Sequence, residues 1–236
     1  MRKTVYSMVL NKFYSLTRFF LLFIIISTIS CRKEGPVKIA PLEPSATYKA
    51  ILTTKWSLPA FSVPPGAHLT TLVGMVHAKD TFLWSNMPAG TGLEFVAEVG
   101  SNWRLINELD TIINRHKALY QFAIPPPVIN SAVEFPLTFT SGFPSISFAS
   151  MVAPSPDWFT GINNYCLVQN NQWVDDISIA MLVYDAGTED GDVFGYDNPA
   201  TFPVQNVSIL AAANATVLTN GNPVVSMIAT LRLIRN

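Results

Sequence analysis

The sequence predicts an all-β protein, an antiparallel β-sandwich with one inserted helix, on three observations. Apolar residues recur with period two in several separate stretches, turn-forming clusters divide those stretches, and only one segment repeats at three and four.

The N-terminus comes first and stands apart from the fold. Arg2, Lys3, Lys12 and Arg18 precede an apolar run from Phe19 to Ile26, which ends in Ser27-Thr28-Ile29-Ser30-Cys31. A basic end, a short greasy middle and a small residue at the cut are the layout of a secretory signal over residues 1–30. The run is shorter than the roughly 20 residues that a spanning helix needs, which makes a transmembrane anchor the weaker alternative. Cys31 directly after a small residue resembles the lipobox of bacterial lipoproteins, with Thr28 where leucine is usual. The expectation is lipidation at Cys31 and a protein held to the cell envelope by that lipid, on the periplasmic or extracellular face. An ordinary secreted protein is the alternative. Residues 31–45, rich in proline and without a consistent period, read as a tether, leaving 46–236 for one domain.

Cleavage removes four of the 15 basic residues and none of the 16 acidic ones, leaving 11 against 16. A mildly acidic domain argues against nucleic acid as partner. About 200 residues suffice for a single core. Besides Cys31 only Cys166 is present, and with Cys31 modified no internal disulfide can form.

Within the domain, Tyr48, Ala50, Leu52, Thr54 and Trp56 form the first alternating row, and Ile146, Phe148 and Val152 belong to another. Ile177, Ile179, Met181 and Val183 alternate with Ser178, Ala180 and Leu182; Val225, Met227, Ala229, Leu231 and Leu233 do the same near the C-terminus. Each row is a strand with one face to a core. Pro64-Pro65-Gly66, Pro125-Pro126-Pro127, Ser141-Gly142-Phe143-Pro144 and Asn220-Gly221-Asn222-Pro223 supply the turns. Leu105, Leu109, Ile112, Ile113 and His116 repeat at three and four, predicting one helix of about four turns with Ser101 placed to cap it.

Carboxylates crowd one region. Eight of the 16 acids fall between Asp157 and Asp197, in loops that follow apolar strands. Like charges in one loop cluster repel and raise one another's pKa unless a cation or a donor compensates. Calcium takes six to eight hard oxygens, and acids from two adjacent loops can supply several. Asp185 and Glu189 are close enough for one loop turned by Gly187 and Gly191 to aim both inward, with Asp157 joining from a loop stiffened by Pro154 and Pro156. The segment is no EF-hand, since glycine occupies a ligand position and the twelfth-position glutamate is missing. A solvated acidic turn without an ion is the alternative.

Other chemistry is weakly signalled. His68, His77 and His116 read as packed or hydrogen-bonded, no Gly-x-Ser-x-Gly elbow occurs, and no phosphate loop, zinc spacing or dinucleotide fingerprint appears. Trp84, Trp103, Trp158 and Trp173 suit packing better than sugar stacking. The sequons at Asn206 and Asn214 read as chance beside a lipobox.

Ala153-Pro154-Ser155-Pro156-Asp157-Trp158-Phe159 and Tyr184-Asp185-Ala186-Gly187-Thr188, with Gly191, resemble the signature of the spondin N-terminal domain family. Tyr48, Trp56, His68, Leu72-Val73-Gly74, His77, Trp84 and Ala97-Glu98-Val99-Gly100-Ser101 occur in the order that family shows, so the resemblance spans about residues 46–236. It implies a C2-like sandwich of about eight strands, a calcium ion held by Asp157, Asp185 and Glu189, and binding without catalysis. Glu189 departs from the aspartate usual there, and Asp190 follows it, so either can complete the set. Cys166 matches a cysteine that is disulfide-bonded in animal members; here its partner is missing and a buried thiol is expected. The leading expectation is a calcium-binding, non-enzymatic surface lipoprotein in adhesion, meeting a protein or glycan ligand. A metal-free envelope scaffold and a carbohydrate-binding module or unrecognised hydrolase are the alternatives.

Overall fold

The computed structural model describes residues 41–57, 59–210, 217–219 and 227–236, and Pro41–Asn236 forms one compact unit. The signal segment, Cys31, Asn214 and the turn at residues 220–223 lie outside the described residues.

Along the chain run β1 (Ser45–Thr54), β2 (His68–Leu69), β3 (Leu72–His77), α1 (Thr91–Val99), α2 (Trp103–Asn114), β4 (Ala118–Ile124), β5 (Ala132–Thr140) and β6 (Ser145–Ala153). They are followed by β7 (Trp158–Cys166), β8 (Val168–Gln169), β9 (Gln172–Trp173), β10 (Asp176–Asp185), β11 (Ser208–Ile209) and β12 (Met227–Arg235). Eight strands form one antiparallel path in the order β4-β3-β6-β7-β10-β12-β1-β5. The path curls until its ends meet. The Thr138 amide of β5 donates to the Tyr120 hydroxyl of β4 at 3.0 Å, and Phe122 stands 6.5 Å from Phe135. A sheet closed in this way leaves few unpaired edges.

The alternation read from sequence sets the interior. Tyr48, Ala50, Leu52, Phe139, Phe148, Leu231 and Leu233 fill one core between the facing halves of the sheet. Strands β3 and β6 do not alternate in burial, because every residue of both is buried. Their outer face is covered by the helices: Leu93, Val96, Leu105 and Leu109 pack on Val73, Met75, Ala149 and Phe159. A strand covered on both faces loses its polar side, which is why these segments read as apolar runs.

There are two helices where the sequence predicts one. The first, α1, has no side-chain cap at its start and carries Gly92 and three β-branched residues in nine, so local propensity hides it. It ends in a left-handed Gly100, where the Gly100 and Ser101 amides bond back to Val96 and Phe95. Ser101 therefore closes α1 and does not cap α2, whose N-cap is Asn102 without a side-chain cap bond. Helix α2 spans 12 residues, and His116 lies beyond it in a left-handed conformation (φ 56°), exposed to solvent. Trp103, 57% exposed, is not packed as expected; it meets Phe95 and the Arg104 guanidinium at the surface.

Gly161 marks the tightest strand contact. A Cβ there would stand 2.1 Å from the Phe148 carbonyl oxygen, a backbone atom with no freedom to retreat. Gly161→Ala is expected to destabilise the domain by about 2 to 3 kcal/mol in urea unfolding, through overpacking; an unchanged midpoint would contradict this close approach.

Candidate metal site

Register sets where the acids lie. Trp158 at the start of β7 pairs with Asp185 at the end of β10, which puts Asp157 beside the loop that begins at Ala186. The Ala186 amide donates to the Asp157 carbonyl at 3.2 Å, locking the two loops together. Beneath them Trp158, Trp56 and Phe194 form an aromatic cluster.

Asp157 is fully buried. Its Oδ2 accepts three donors, the Thr188 amide at 2.7 Å, the Thr188 hydroxyl at 3.2 Å and the Glu189 amide at 3.1 Å. Its Oδ1 is buried with no hydrogen-bond partner. Asp185 divides its work similarly: Oδ1 accepts the Gly187 amide at 2.7 Å and shapes the turn. Gly187 sits at φ +75°, and a Cβ there would lie 2.6 Å from the Gln205 carbonyl oxygen, so glycine is required on two counts. Glu189 is half-buried, and its Oε2 also has no partner. Asp190, in contrast, is exposed and accepts the Thr201 hydroxyl at 2.6 Å.

The electrostatics follow from this crowding. Burial pushes the Asp157 carboxyl above its ordinary range, against the pull of the Thr188 and Glu189 donors. Burial and then the charge of Asp157 raise Asp185 to about 6. Burial, Glu98 and Asp157 raise Glu189 to about 7. Asp157 thus interacts electrically with each of the other two predicted residues. Among the described residues, however, no three carboxylate, imidazole or thiol side chains converge into a complete ion-holding group. Two buried, unpartnered carboxylate oxygens in a mutually repelling set are nonetheless a donor array suited to a hard divalent cation such as calcium.

Sequence reasoning missed two participants. Glu98, on α1, is half-buried, its carboxyl is raised by burial and by the charges of Glu94 and Asp157, and its own charge raises Glu189. Thr188 donates through both its amide and its hydroxyl. Glu98 stands 59 positions before Asp157, so only the packing of α1 on the sheet could reveal it.

The other candidates are structural. His68 is exposed, its Nδ1 2.7 Å from the Gly66 carbonyl oxygen. His77 is fully buried; it lies 2.8 Å from the Ala78 carbonyl oxygen through Nδ1 and 2.7 Å from the Ser147 hydroxyl through Nε2, and burial lowers its pKa. Cys166 is a free thiol and only half-buried, short of the burial expected, because it ends β7 and its sulfur meets the Val168 amide and carbonyl.

Fold and site together define an antiparallel β-sandwich with a carboxylate-lined loop end. The Spondin_N family model matches residues 46–218, and the chain belongs to that family. It is 27% identical to Spondin-2 of Rattus norvegicus over 216 residues, covering 86% of this chain and 65% of that protein. It is 28% identical to Spondin-2 of Homo sapiens over 190 residues, 76% of this chain and 57% of that one. To Spondin-1 of Xenopus laevis the identity is 26% over 193 residues, 77% of this chain and 24% of the relative. The chain therefore spans less than two thirds of the length of these relatives.

Raised carboxyls carry a sign. Between their ordinary pKa near 4 and the folded values of about 6 for Asp185 and about 7 for Glu189, the folded metal-free domain binds more protons than the unfolded chain, so stability falls as pH rises through that window. Chelated protein is expected to melt higher at about pH 5 than at about pH 7.5, by about 2 to 4 °C per kcal/mol released. Asp185→Asn should flatten that slope; a melting temperature that climbs with pH over the same range would refute the crowding.

Proposed function

We propose that this chain is a non-catalytic, lipid-anchored surface protein that binds a protein or glycan ligand in adhesion, with calcium held by Asp157, Asp185 and Glu189. The observation that carries the reading is the fully buried Asp157, one oxygen tied to the opposite loop and the other without a partner, among acids that raise one another's pKa. Calcium, when bound, supplies a compact double charge that compensates these carboxylates. The chain's own part is to present the oxygens: Asp157 and Asp185 each commit one oxygen to shaping the 187–189 turn, and Gly187 keeps that turn tight.

Strand register sets the acids apart from the start of β1. Tyr48 pairs with Arg235 and Asp176 with Ile234, so β1 and β10 start at the same end of the sandwich. Asp185 closes the ten-residue β10 at the other end, roughly 30 Å away at the usual rise per residue. The chain thus begins β1 at the end of the domain opposite its acids. A non-catalytic role fits the buried Ser147–His77 contact, because the second His77 nitrogen lies against the Ala78 backbone carbonyl and not against a carboxylate.

Calcium in excess of its dissociation constant by about 100-fold is expected to add roughly 2.7 kcal/mol, or about 5 to 10 °C in melting temperature. Asp157→Asn keeps an oxygen for the Thr188 and Glu189 amides, so its metal-free fold should survive while the response to calcium disappears. A wild-type domain indifferent to calcium at millimolar levels would sink the metal assignment. Separately, Cys31→Ser is expected to move the protein from the membrane fraction to the soluble one, and retention in the membrane would rule out lipid anchoring at that residue.

A further inference from the structure

A cleft of about 480 Å³ opens between the C-terminal end of α2 and the irregular 78–90 connection, within the size range of small-ligand sites. It shares no residue with the carboxylate site. The connection contains no regular element, yet the sheet holds it at several points. The Leu83 amide donates to Asn163 Oδ1 at 2.9 Å, and Asn163 Nδ2 donates to the Trp84 carbonyl at 2.7 Å. Asn164 Nδ2 donates to the Lys79 carbonyl at 2.8 Å, and His77 meets the Ala78 carbonyl. Trp84 is further wedged edge-on against Phe159 and Tyr184. One wall of the cleft is thus preformed, which lowers the ordering cost of binding.

The lining has a definite chemistry. Phe82 stands 55% exposed on the fixed wall with Trp84 half-buried beside it, which gives flat ring faces, and Ile112 of α2 adds an aliphatic surface. Lys117 and Asp80 neutralise each other across 2.6 Å. Arg115, exposed at the mouth, has no carboxylate within ion-pair distance among the described residues, although the mature domain carries more acids than bases. A guanidinium in this position is a two-pronged donor for a carboxylate. An exposed ring face beside a guanidinium without an ion-pair partner fits a ligand ring that is apolar on its face and carries a carboxylate at its edge.

We propose that this cleft binds a carboxylate-bearing saccharide of one or two rings, with Arg115 holding the carboxylate and Phe82 the ring face. The site is independent of calcium and of the reading of the acid end. The test is titration of the full chain with digalacturonate in chelator, followed by calorimetry and by chemical-shift changes. Shifts at Phe82, Trp84 and Arg115 are expected, with affinity falling at least about tenfold in Arg115→Ala and about threefold in Phe82→Ala, and about tenfold for neutral digalactose. Both side chains are exposed, so unchanged melting of the variants should confirm intact folds. No binding at about 10 mM digalacturonate, or equal affinity in Arg115→Ala, overturns the site. Benzoate binding as tightly as digalacturonate overturns the saccharide assignment.

Discussion

The Asp157 carboxylate is taken wholly out of water, and one oxygen gathers three donors from residues 188 and 189 while the other meets none. An ionised group in that position is stabilised by its donors and penalised by burial and by neighbouring acids. The shape of the 186–190 turn depends on those donors, since their amides point at Asp157 and not at a strand partner. The same carboxylate therefore organises the loop and makes it electrostatically expensive. Neutral asparagine would organise it without that cost, and a purely structural loop has no need of the charge.

The curled sheet makes this placement possible. Pairing of β7 with β10 sets Asp157 against Asp185, and α1 lying over β6 and β7 brings Glu98 toward the same turn. Antiparallel order puts the chain's entry at β1 and the acid turn at opposite ends. The separation is a consequence of strand length: a ten-residue β10 extends too far for both ends to serve one surface.

Much of this was legible in the sequence, and the failures have physical causes. Strands β1, β10 and β12 alternate because one face meets the core and the other water, so Tyr48, Met181 and Leu231 could be assigned inward from period alone. Segments β3 and β6 carry no such signal, being buried on both faces by helices whose presence had first to be known. Helix α1 escaped because glycine and β-branched residues weaken its local preference, and packing of Leu93 and Val96 on the sheet overrides that preference. Asp157, Asp185 and Glu189 were readable as a crowd because two of them stand four residues apart and the third opens the same acid-rich stretch in a proline-stiffened loop. Glu98 and Thr188 were not, since a helix-to-loop contact and a backbone amide leave no mark in residue spacing.

Two of the domain's irregular loops are held by opposite means, and this bears on what each can respond to. The 186–190 turn is fixed by carboxylates, so its stability depends on how much charge those groups carry and on anything that neutralises it. The 78–90 connection is fixed by the neutral side-chain amides of Asn163 and Asn164 and by a His77 whose pKa burial has lowered, so none of these holds depends on the charge of a carboxylate. Cations should therefore act on the first and leave the second alone. A fold that needed only rigid loops could have used either device twice. Using carboxylates at the end remote from the chain's entry and amides along the helix-covered face separates a cation-sensitive turn from a connection held by neutral groups within a single domain.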